Sequence, residues 1–103
     1  MGRLLLQERL MAEIKRESKV EKDIREYALA TGWWCAKFTS PGKRGVPDRV
    51  FIRSGIVLWM EVKRPGEEPT QQQTLRMNEM KKYGAIVCWV DSLTAAKEWL
   101  DLL

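Results

Sequence analysis

Asp48, Glu61 and Lys63 are the residues of this 103-residue chain whose types and spacing could do chemistry together. They lie in residues 45–63, GVPDRVFIRSGIVLWMEVK, where Asp48 opens one apolar run and Glu61 and Lys63 stand near the end of the next. A strand over residues 56–63 alternates its side chains, so Val57, Trp59, Glu61 and Lys63 share one side while Leu58, Met60 and Val62 share the other. If the preceding run is the other arm of a hairpin closed at Ser54 and Gly55, Asp48 comes alongside Glu61. Carboxylates on apolar strands cost stability unless something compensates them. Two side by side form a hard oxygen site of the kind Mg²⁺ prefers, with water and a substrate phosphate completing it. A metal there stabilises charge on phosphoryl oxygens and lowers the pKa of a bound water. Lys63 could orient that water or bind the charge that develops in the transition state.

Composition narrows the alternatives. The chain has no histidine, which removes Ser-His and Cys-His nucleophile pairs and any His-ligated transition metal. A metal here must be held by oxygen. Cys35 and Cys88 both sit inside apolar runs and read as buried thiols rather than a disulfide or zinc site. An excess of 18 Lys and Arg over 14 Asp and Glu gives a formal net charge of +4, which suits a polyanionic partner. Lys43 and Arg44, in a Gly-bearing loop, and Arg64, just after Lys63, are the cations best placed for a phosphate backbone. No apolar run is long enough to span a bilayer. Leu4 to Leu6 gives way at once to Gln7, Glu8 and Arg9, unlike a signal peptide, so an intracellular, cytoplasmic protein with no membrane partner is expected.

The elements that must position these groups follow from periodicity and punctuation. Residues 3–17 read as a helix with Leu4, Leu5, Met11 and Ile14 near one stripe, a packing or oligomerisation arm outside the main domain of residues 18–103. Ser18 and Glu21 fit a capping box that starts a helix carrying Val20, Ile24, Tyr27, Ala28 and Thr31 inward, until Gly32 ends it. Residues 33–38 read as a strand and residues 39–45 as a loop. After the central hairpin, residues 64–69 turn on the surface, and Thr70 caps a helix with Gln73 at its N3 position and Leu75, Met77, Met80 and Tyr83 as apolar contacts. Residues 85–90 form a strand. Asp91-Ser92 caps a last helix that turns Leu93, Ala96, Trp99, Leu100 and Leu103 inward. Trp33, Trp34, Trp59, Trp89 and Trp99 fall mostly at core positions.

Pro47-Asp48, twelve intervening residues and then Glu61-Val62-Lys63 resemble the PD-(D/E)xK nuclease superfamily. More narrowly, Glu21 in the first helix, Gly45-Val46-Pro47-Asp48 after a basic loop, Glu61-Val62-Lys63, and Thr70-x-x-Gln73 with Gly84-Ala85 closing the next helix resemble the virus-type replication and repair nuclease family, VRR-NUC, in its stand-alone form. The resemblance covers residues 18–103. It implies an α/β restriction-endonuclease-like core, a mixed four-stranded sheet flanked by helices in the order α-(αβββαβ)-α. It also implies that Asp48 and Glu61 ligate Mg²⁺ or Mn²⁺ with the Val62 carbonyl, that Lys63 acts on water or phosphate, that Glu21 extends the acidic site and that Gln73 binds nearby. Stand-alone members are viral and bacterial proteins that act as dimers on branched DNA, resembling Holliday junction resolvases. The expectation is therefore a phage or bacterial homodimeric endodeoxyribonuclease selective for DNA structure. Residues alone leave open a non-catalytic DNA-binding module with this fold, a flap, nicking or restriction-like nuclease, or a structural partner organised by residues 3–17.

Overall fold

Ser18 begins the order of the chain: its Oγ accepts from the Glu21 N–H at 3.1 Å and starts helix α1, Lys19–Ala30. The computed structural model describes residues 17–103, so the expected helical arm lies, Glu17 apart, outside the described residues. Only half of the anticipated capping box forms. The Glu21 side chain reaches Arg49 instead. Helix α1 ends where Thr31 turns its hydroxyl back to the Tyr27 carbonyl at 2.9 Å and Gly32 takes a φ of 88°, a conformation that suits a residue without Cβ.

Strand β1 is Trp34–Lys37, β2 Arg49–Arg53 and β3 Ile56–Val62. The β2–β3 turn places both Ser54 (φ 50°) and Gly55 (φ 80°) in the left-handed region, the tight two-residue connection that matches strand twist. It fixes the register at Arg53 opposite Ile56 and Arg49 opposite Met60, so Asp48, one residue earlier, falls opposite Glu61. Helix α2, Gln71–Lys82, then carries the chain to β4, Ile86–Val90, which pairs parallel to β3. Helix α3, Leu93–Leu102, completes the chain behind its Ser92 cap. The sheet order is β1-β2-β3-β4 with the first two pairings antiparallel, the expected mixed α/β sheet.

The core lies between the sheet and helices α1 and α3, where Ile24, Ala28, Trp33, Phe51, Leu58, Met60, Cys88, Val90, Ala96 and Leu100 are buried together. Leu58 and Met60 face it, as the alternation in β3 requires, and Glu61 and Lys63 belong to the other side. Two expectations are corrected. Trp33 is buried, but Trp34 is 57% exposed and Trp89 is 41% exposed, because each occupies a strand position facing away from α1 and α3. In α2 the inward stripe is Gln73, Arg76, Met77 and Met80, which leaves Leu75 and Tyr83 exposed rather than packed; Leu75 falls off the i, i+3, i+4, i+7 row, and Tyr83 is the C-cap residue past the last turn.

Candidate active site

Sheet register assembles the centre. The Asp48 N–H donates to Glu61 Oε2 over a long 3.4 Å, and the Asp48 carbonyl accepts from Phe38 N–H at 2.7 Å, which ties the end of β1 to the same point. Lys63 Nζ stands 3.9 Å from Glu61 Oε1. The Glu61 side chain is nearly buried, whereas Asp48 is open to solvent at the rim. Burial first, then the negative charge of Asp48, pushes the Glu61 carboxyl up to about 7. Asp48, accessible on its outer side but partly desolvated where it packs against Glu61, is raised as well, first by that desolvation and then by the charge of Glu21. Burial and crowding together disfavour ionising both acids, and Lys63 offsets only part of that for Glu61.

Gln73 joins the same group from α2. Its Nε2 donates to Glu61 Oε1 at 2.7 Å while its Oε1 accepts from Thr70 N–H at 2.9 Å, and Thr70 Oγ1 accepts from the Gln73 N–H at 3.1 Å. The residue is thus a complete capping-box member and a contact of the acidic pair. Glu21 arrives from α1, but its Oε2 accepts from Arg49 Nη2 at 3.1 Å. Arg49 also binds Glu17 Oε2 at 2.6 Å, and Arg25 holds Glu17 through three hydrogen bonds of 3.0–3.2 Å.

A cleft of about 470 Å³ opens beside Asp48, lined by the loop that runs from Phe38 to Val46. Lys43 and Arg44 are exposed on it. Lys43 pairs loosely with Glu79 at 3.7 Å. Arg76 Nε donates to the Arg44 carbonyl at 2.8 Å, and Gly45 lies so close to α2 that a Cβ there would stand 2.8 Å from the Gln72 carbonyl oxygen. Arg64 is exposed where β3 runs out, in a turn that Asp91 anchors by accepting from Gly66 N–H at 3.1 Å.

The donor set fits a hard divalent cation. Among the described residues, no three acidic, histidine or cysteine side chains converge as a cage. The set that the sheet brings together is the Asp48 and Glu61 carboxylates, an arrangement that leaves positions to water and substrate, as Mg²⁺ sites do. The pair lacks positive charge, which a cation supplies. Sequence reasoning overlooked Arg49, Glu17 and Arg76. An Arg inside the apolar run after Asp48 was a signal for the first. Arg76 could have been found three residues after Gln73 on one helix face.

No family model matches the chain. It is 38% identical over 78 residues to a protein of Acyrthosiphon pisum secondary endosymbiont phage 1 named "Putative nuclease p44", a match covering 75% of this chain and 84% of that protein. A solved structure described as a VRR-NUC domain superposes with a TM-score of 0.74 and 26% identity, covering 82% of this chain and 94% of the other.

Proposed function

The chain belongs to the VRR-NUC family, and we propose that it is a divalent-metal-dependent endodeoxyribonuclease that selects branched DNA, a four-way junction above all, and works as a homodimer. The carrying observation is the convergence of Asp48, Glu61 and Lys63, from two strands, beside a cleft with exposed cations. A divalent cation held by Asp48, Glu61 and the Val62 carbonyl would act as a Lewis acid on the scissile phosphate and acidify the attacking water.

The chain's own groups supply the rest. Gln73 fixes the Glu61 carboxylate from one side, so that the acid meets its cation with little reorganisation. Lys63 is placed to orient the water or to bind charge developing on phosphate. Glu21 adds negative charge at the margin of the site. Lys43, Arg44 and Arg64 hold the flanking phosphates, and the Gly-bearing loop allows close approach. Two such sites related by a twofold axis match the symmetric opposed cuts a four-way junction requires.

A panel of four-way, flap, bubble and linear duplex DNA, incubated with Mg²⁺ or Mn²⁺, tests this reading, with mass in solution recorded beside it. Four-way junctions should be cut preferentially by a dimer, EDTA should abolish cutting, and Asp48→Ala and Glu61→Ala should be inactive. Tight salt-dependent binding without any cutting would make the protein a DNA-binding module instead.

Among the described residues no helix is long and apolar enough to cross a membrane.

A further inference from the structure

Arg49 follows Asp48 directly and points the opposite way, onto the side of the sheet covered by α1, where it is 4% exposed. A guanidinium in that position is costly to bury. Its Nη2 makes two short bonds, to Glu17 at 2.6 Å and Glu21 at 3.1 Å, while its Nε is buried without a partner among the described residues. One nitrogen thus holds two carboxylates, from α1 and from the residue before its cap. Glu17 does not depend on Arg49 alone, because Arg25 grips it separately. For the Glu21 carboxylate, Arg49 is the partner that the structure supplies.

We propose that Arg49 is a positioning residue, which pins Glu21 of α1 to the start of β2 and so sets the third acid relative to Asp48 and Glu61. The inference rests on the nuclease reading. Burial rules out a direct role for Arg49 on a DNA phosphate, since its guanidinium lies under α1 rather than in the cleft. It acts by joining α1 to the start of β2, one residue from Asp48. A single buried guanidinium nitrogen can do this because Asp48 and Arg49 are consecutive: fixing one side chain against α1 fixes the backbone that presents the other.

The test is a mutant cycle on the metal-loaded protein with a cleavable DNA substrate at saturating Mg²⁺, comparing Arg49→Met, Glu21→Gln and the double variant, with folding checked by thermal melting. Arg49→Met should lower kcat on the order of 100-fold, the scale of a misplaced reacting group, and leave KM for DNA nearly unchanged. The double variant should fall within about threefold of Glu21→Gln alone, because coupled residues are not additive. Parental kcat in Arg49→Met, a change mainly in KM, or losses that multiply in the double variant would each overturn the proposal. Should Arg49→Met fail to fold, Arg49→Gln carries the test. It removes the charge that holds both carboxylates, so a lowered kcat at parental melting temperature supports positioning, and parental kcat overturns it. Asp48→Ala separates the two levels: if it cuts like the parent, the nuclease reading fails, and if it is inactive while Arg49→Met is not, only this inference fails.

Discussion

Gln73 donates to Glu61 across 2.7 Å with the same amide whose oxygen closes the N-terminal cap of α2. The start of the helix and the acidic pair are therefore one hydrogen-bonded unit, and the side chain that orders one orders the other. Substitution can separate the two roles. Gln73→Glu keeps an acceptor for the Thr70 N–H, while placing a carboxylate against Glu61; Gln73→Ala removes both bonds. The alanine variant should lose about 1 kcal/mol of stability, the usual worth of a helix cap, together with cleavage rate. The glutamate variant should recover helix stability in the presence of Mg²⁺ without recovering the rate. Chemical denaturation and single-turnover cleavage of the two variants check this.

A second expectation concerns metal-free protein. Glu61 titrates near 7 when folded against an ordinary value of 4.5, so the folded state keeps its proton while the unfolded chain releases it. Raising the pH from about 4.5 to about 7 must then lower stability, by an amount on the order of 3 kcal/mol at most from this carboxyl, with no further loss from it above that window, and Asp48, raised in the same direction, adds to the fall. The lowered pKa values of Glu17 and Glu79 act below the same window, since their stabilisation is lost only as the pH falls through their folded values. Urea denaturation in EDTA should show the parent less stable at pH 8 than at pH 5, and Glu61→Gln should flatten the difference. Added Mg²⁺ should restore the parent at pH 8.

Alternation and turn chemistry made Asp48, Glu61 and Lys63 legible, because both are local: period two assigns faces, and Ser54-Gly55 sets the register that puts Asp48 opposite Glu61. Gln73 was legible as a cap and as a site residue, with no means of choosing between them. In the structure the side chain closes the cap and touches Glu61 at once. The link from Arg49 to Glu21 and Glu17 spans 28 and 32 residues, and it depends on how α1 settles on β2, which no local pattern encodes. The exposure of Trp34, Trp89, Leu75 and Tyr83 was missed for a related reason. Apolar character predicts burial only after the face covered by helices is known.

Gly45 carries a further expectation. It combines a φ of 81° with a Cβ direction that would place an added methyl 2.8 Å from the Gln72 carbonyl oxygen. Gly45→Ala faces about 1–2 kcal/mol of left-handed strain from its Cβ, plus that collision. The backbone on both sides must shift, and the loop carrying Lys43 and Arg44 must lift from α2. DNA affinity should fall, and the salt dependence of binding should weaken by about one unit of slope for each phosphate that the lifted loop no longer reaches. Arg76→Ala, which frees the Arg44 carbonyl without the collision, should reproduce the weaker binding with a smaller drop in stability. Binding titrations over a range of salt concentrations decide it.

Lys63 separates a role in the transition state from a plain phosphate contact. Its ammonium is 3.9 Å from Glu61 and its side chain only 16% exposed, so it belongs to the acidic pair more than to the open cleft. Removing it also removes a charge that favours the ionised form of Glu61 and that repels a bound cation, so metal affinity at neutral pH changes as well. Assays at saturating Mg²⁺ eliminate that indirect effect. Under those conditions Lys63→Met should lower kcat on the order of 100-fold, the scale of losing one donor aimed at developing charge, and should change DNA affinity little. Interactions made only in the transition state reduce kcat and kcat/KM together. Equal losses in turnover and affinity would instead assign Lys63 to the phosphate backbone, alongside Lys43 and Arg44.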